Sequence, residues 1–152
     1  MRFVVISLSL WWTLLAIPVW AGEHIAVVTR ASAVKPSCSK AELARIYLRK
    51  KSWWDDGTRI TPVNFPADHP LRRSFSLAVL GALPEELETY WNDQYFHGVM
   101  PPHVLTSEEA VIRFVASTPG AIGYVTEGAV TKEVQVLLLL PPDIDTEKAT
   151  NR

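Results

Sequence analysis

The stretch TSEEAVIRFVASTPGAIGYV, residues 106–125, decides the fold class. Thr106 followed by Glu109 has the spacing of a helix N-terminal capping box, in which hydroxyl and carboxylate each satisfy a free backbone N–H. Val111, Phe114 and Val115 then fall on one side of a helix. Pro119-Gly120 ends that helix, and Ala121 to Val125 is a short apolar run with the length of a buried strand. A helix that feeds directly into a buried strand is the repeating unit of layered α/β folds.

Working outward, the same alternation continues. Pro84, with Glu85 and Glu86 at the positive end, starts a helix whose stripe is Leu87, Tyr90, Trp91 and Tyr95; His97 to His103 follows as a loop. Before it, Leu71, Phe75, Ala78 and Val79 have helical spacing, with Asp68 placed as N-cap, Pro70 in the first turn and Gly81 as the stop. Arg59 to Phe65 reads as a strand with Pro62 at an edge position or a bulge. Ser39 with Glu42 opens a helix carrying Leu43, Ile46 and Tyr47, and His24 to Thr29 is the first strand. Downstream, Val134 to Leu140 is the last strand, and Pro141-Pro142 precedes a polar tail over 142–152 expected to be flexible. The order β-α-β-α-α-α-β-β favours an α/β domain with a mixed sheet flanked by helices.

The first 21 residues have another layout. Arg2 precedes a long apolar run, and Val19 and Ala21 put small residues at the −3 and −1 positions of a cut after Ala21. This predicts a secretory signal over 1–21, with no stable membrane span once it is cut, and a single domain over 22–141 in the periplasm or otherwise exported; a retained N-terminal anchor is the alternative. Cutting there removes one of the 15 basic residues and none of the 16 acidic ones, so the formal charge goes from −1 to −2. A nucleic-acid partner would need a basic excess, so none is expected. The balance gives no long-range pull on anions either, and an anion site has to be local. Cys38 is the only cysteine, which excludes an internal disulfide. There is no zinc spacing, nucleotide loop, calcium loop or nucleophile elbow, so no cofactor, no metal and no catalysis are expected.

Several segments carry a resemblance. Ala41 to Leu48 followed by Lys51-Ser52-Trp53-Trp54-Asp55-Asp56-Gly57, the late Pro119-Gly120-Ala121-Ile122-Gly123-Tyr124-Val125, and Arg72, Phe75, Tyr90-Trp91, Phe96, Gly98 and Pro101-Pro102 between them lie in the order and spacing of phosphate-binding proteins of bacterial ABC importers. The chain resembles a short, single-lobe form of this periplasmic-binding-protein-like superfamily, across roughly residues 24 to 126. The resemblance implies one lobe of a type II periplasmic binding protein, a phosphate-like small anion as ligand, and a role related to ABC transport. One departure is plain. The family's Ser-Gly-Thr anion loop would fall at His69-Pro70-Leu71, where no residue matches and Pro70 has no N–H to offer.

The candidate ligand-binding residues follow from where anions bind. A helix N-terminus presents free N–H groups and partial positive charge, which singles out His69, Arg72 and Ser74. A guanidinium binds phosphate or carboxylate through two parallel hydrogen bonds, which makes Arg72 the central candidate. The alternative is that Asp68 itself fills the anion position and Arg72 pairs with Asp68 or Asp56, with Arg73 a solvated charge. Thr29, Arg30 and Ser32 follow the first strand, and ligands in open α/β sheets gather beyond strand C-termini, so these three are placed opposite Arg72. A second functional reading is a ligand-free module that binds an envelope protein, for which an exposed Trp at 53 or 54 is a candidate contact. A homodimer that rebuilds a two-sided cleft is a further option.

Overall fold

A computed structural model describes residues 23–32 and 38–141. The expected signal segment, most of the linker containing Pro36, and the polar tail lie outside the described residues. Five strands and four helices follow in the order β1 (Ile25–Arg30), α1 (Lys40–Tyr47), β2 (Thr61–Asn64), α2 (Pro70–Leu80), α3 (Glu88–Phe96), β3 (His103–Val104), α4 (Glu108–Ser117), β4 (Ala121–Thr126) and β5 (Val134–Leu140). The expected α/β class with a mixed sheet is what forms.

The strands make one sheet in the order β3-β2-β4-β1-β5. β2 runs parallel to β3 and β4, whereas β1 lies antiparallel between β4 and β5. β1 is buried from Ile25 to Thr29, and β4 from Ala121 to Val125. Near-continuous apolar runs are what a strand with both faces covered needs. Gly123 allows that cover. A Cβ there would lie 2.7 Å from Val111 Cγ1 and 2.9 Å from Val63 Cγ2, so its absence lets α4 settle close on β4.

Local signals place most helix ends. The Ser39 hydroxyl accepts from the Glu42 N–H at 3.1 Å, and Gly81 closes α2 in the left-handed region at φ 68°. The other two caps shift by one residue. α4 is capped by Ser107, not Thr106, through the Ala110 N–H. α2 is capped by His69, not Asp68. Ser107 and His69 are the residues whose side-chain acceptors reach back into the first turn.

The fifth strand, β3, lies where the sequence reads as loop. Two residues are too few to show alternation, and they are held by β2 and by the Leu105 N–H on the Asn64 carbonyl at 2.8 Å. β2 is thus an inner strand. At Pro62, however, it pairs only on the β4 side, since β3 begins opposite Val63, so the ring meets no ladder partner there. α3 differs from expectation too. It has no fully buried residue, and Tyr95 of its supposed apolar stripe is exposed.

Candidate functional site

β2 ends at Asn64, the chain turns through Phe65 to Asp68, and α2 begins. Arg72 lies in the first turn of α2 and is buried, 8% exposed. Tyr124, Tyr47, Asn64 and Phe65 lie near it, and Glu88 lines the hollow it faces without pairing with it. Phe75 and Tyr124 stack with ring centroids 3.8 Å apart and planes 1° from parallel, and Tyr47 lies against both. The Tyr124 hydroxyl donates to Asn64 Oδ1 at 2.7 Å, which leaves the Asn64 amide N–H groups as that side chain's free donors. Among the described residues Arg72 has no ion pair with any carboxylate, and its Nε is buried without a hydrogen-bond partner. Ser76, one turn further on the same helix face, has a fully buried hydroxyl in the same condition.

Burial lowers the Arg72 pKa, because the low-polarity surroundings disfavour the charged form; the neighbouring Tyr124 and Tyr47 phenols act against that shift. Arginine nonetheless stays charged. A guanidinium taken out of water with nothing opposite it is costly, and a bound anion is the direct remedy. Arg72 opens onto a hollow of about 340 Å³ that Asn64, Phe65, Trp91 and Pro102 also line. Glu88 and Asn92 line the same hollow from α3.

The other sequence candidates do not converge on it. His69 lines no part of this hollow. Its Nδ1 accepts the Leu71 N–H at 3.2 Å and its ring stacks on Phe65 at 4.5 Å, so capping occupies it. Ser74 also lies outside the lining. Arg73 points elsewhere and makes a two-pronged bond to Glu85, both contacts at 3.0 Å, which holds the Glu85 carboxyl below its usual range. Asp68 is exposed, and Asp56 closes its own turn on the Thr58 N–H at 2.8 Å.

Thr29, Arg30 and Ser32 come together, but at the opposite end of the sheet. Their expected place beside Arg72 needs β1 to run parallel to β2. It runs antiparallel to β4, with Thr29 opposite Ile122, while β2 starts opposite Ala121. The C-terminal end of β1 therefore meets the N-terminal ends of β2 and β4. There the three residues line a larger hollow of about 650 Å³ that shares no residue with the first. The Thr29 hydroxyl donates to the Ala121 carbonyl at 2.9 Å. The walls carry Glu42, Asp55 and Asp56 against Arg30, and Trp54 packs its Nε1–H on the Gly120 carbonyl at 3.1 Å. Trp53, its neighbour, is exposed.

A protein from Clostridium perfringens, described as a phosphate ABC transporter substrate-binding protein and solved with bound phosphate, superposes with a TM-score of 0.62 at 21% identity, over 77% of this chain and 45% of that one. An ABC-type phosphate transport receptor from Vibrio cholerae gives a TM-score of 0.61 at 19% identity, over 86% of this chain and 52% of that one. PstS from Borrelia burgdorferi gives 0.58 at 18% identity, over 82% and 49%. About half of each of these proteins shares the fold of this chain. The chain spans about half the length of the phosphate-binding proteins it matches. No protein-family model matches the sequence, and no curated protein matches it.

Of the residues lining the Arg72 hollow, the sequence singled out Arg72 as a candidate but not Asn64, Glu88 or Trp91. Asn64 had a signal: it is the last residue of a strand that leads into a helix, where α/β sheets place ligand contacts. Glu88 and Trp91 had none, because their part in the hollow depends on how α3 docks.

Proposed function

We propose that this protein is an exported solute-binding domain whose ligand is phosphate or another small oxyanion, bound without catalysis in the Arg72 hollow, and that its role is related to ABC transport. One observation carries the reading: a buried guanidinium that faces a hollow and, among the described residues, lacks a carboxylate partner. In that hollow the Arg72 guanidinium supplies charge and paired donors, and the Asn64 amide supplies a further donor. Glu88 limits the charge the site accepts. A fully ionised anion is repelled by it, while a protonated oxygen can donate to its carboxylate. The bound phosphate of the Clostridium perfringens protein supports the same ligand class. With one such wall and an open mouth, affinity is expected to be modest.

Thermal melts in phosphate, sulfate and acetate test this. An anion that binds only the folded protein raises stability by RT ln(1 + [L]/Kd), about 2.7 kcal/mol at a hundredfold excess over Kd, which is several degrees for a domain of this size. A concentration-dependent rise in phosphate is expected; a flat response at millimolar anion would overturn the reading. The second reading, a module that binds an envelope protein, draws on the exposed Trp53, 57% accessible. Its check is pull-down with a Trp53→Ala control.

A further inference from the structure

We infer that α3 is a hinged wall of the Arg72 hollow that closes on a bound oxyanion, and that Tyr90 is the positioning residue that sets its closed seat. This rests on the oxyanion reading of the hollow. Two kinds of residue line that hollow. Asn64, Phe65 and Arg72 are buried in the body of the domain, whereas Glu88, Trp91 and Asn92 come from α3. That helix is attached unlike the others. α1 buries Leu43, Ile46 and Tyr47, α2 buries Phe75 and Val79, and α4 buries Val111, Ile112 and Val115. α3 buries no residue and, among the described residues, gives no side chain to the hydrophobic core. A segment with so few buried contacts opens at far less cost than the domain as a whole.

One polar tether holds it. The Tyr90 hydroxyl donates to the Leu48 carbonyl at 2.7 Å; among the described residues the other α3 side-chain hydrogen bonds stay within residues 93–97. Tyr90 is outside the lining of the hollow, but its ring meets that of Trp91, which lines it, edge to face at 5.1 Å. The chain on either side is fixed. Pro84 is buried and Glu85 is held by Arg73, while His103 pairs with Val63. Between α3 and β3, Gly98 adopts φ 75° with open space where a Cβ would stand, so it can absorb a change of backbone angle. α3 is thus able to rock between fixed ends without leaving the site. The ligand supplies the reason to close. Arg72 and Glu88 face one hollow without pairing. A protonated oxyanion accepts from the guanidinium and donates to the carboxylate, and the Asn92 amide offers a further donor. Such an anion ties the wall to the body of the domain, so binding and closure favour each other.

Hydrogen exchange read by mass spectrometry on the full chain, with and without inorganic phosphate, tests the inference beside the melts. Without phosphate the α3 amides are expected to exchange faster than those of α1, α2 and α4. Phosphate at tenfold its Kd is expected to slow them on the order of tenfold, because the open wall does not hold the anion. Arg72→Met is expected to lose that slowing. Tyr90→Phe keeps the ring and removes the tether; it is expected to speed α3 exchange about fivefold and to weaken phosphate binding by up to that factor. A melt that responds to phosphate while α3 exchange does not overturns the closure and leaves the hollow's reading standing. No response in either removes both. An α3 that exchanges as slowly as α4 without phosphate also overturns the inference. Tyr90→Phe with a lowered melting temperature but wild-type α3 exchange and wild-type phosphate affinity makes Tyr90 merely structural and overturns its assigned role.

Discussion

The two ends of the sheet each carry a hollow, and the two are built on opposite principles. At the Thr29 end the polar groups are satisfied: the threonine hydroxyl is bound to Ala121, Trp54 to Gly120, and Glu42 to Lys51. Three carboxylates face one arginine there. At the Arg72 end the hollow is about half the volume, yet it holds a buried charge with no partner. The larger cavity is thus the poorer candidate for an anion. What distinguishes a site here is unmet electrostatic demand, not room.

This contrast can be broken in three places. The largest effect is expected at Gly120, which adopts φ 76°; a Cβ there would lie 2.1 Å from the Arg59 carbonyl oxygen, a backbone atom that cannot step aside. Gly120→Ala combines left-handed strain with overpacking and is expected to cost about 3 kcal/mol or more, read by urea denaturation. It tests whether the Thr29 end is structural. Next comes Arg72→Met. Replacing a buried unpaired charge with an apolar side chain of similar length is expected to raise the stability of the ligand-free protein by about 1 kcal/mol while abolishing its response to phosphate. A variant that loses stability and keeps the response would reverse the contrast. The smallest effect is expected from Thr29→Val, which removes one buried hydrogen bond at about 1 kcal/mol or less and leaves the phosphate response at wild-type size. A lost response would draw the Thr29 end back into the site.

Local chemistry explains what was legible in the sequence. Ser39, Gly81 and Pro119-Gly120 mark helix ends through contacts within a few residues, and each marks the end it was expected to mark. Where two neighbouring residues both had cap chemistry, as with Asp68 and His69 or Thr106 and Ser107, the pattern was off by one position. Strand direction was not legible. Nothing in Ile25 to Arg30 says whether the strand lies along or against β4, and that single fact moves Thr29, Arg30 and Ser32 from one end of the sheet to the other. Arg72 was legible as a residue type at a helix start. Its lack of a partner was not, because it depends on Asn64 and Tyr124 binding each other and on Arg73, not Arg72, taking Glu85.

The seating of the first strand between the last two has a consequence for synthesis. β1 leaves the ribosome earliest among the described strands, but both of its neighbours, β4 and β5, end at residues 126 and 140. The middle of the sheet stays open until β5 has emerged, since pairings this distant in sequence close late.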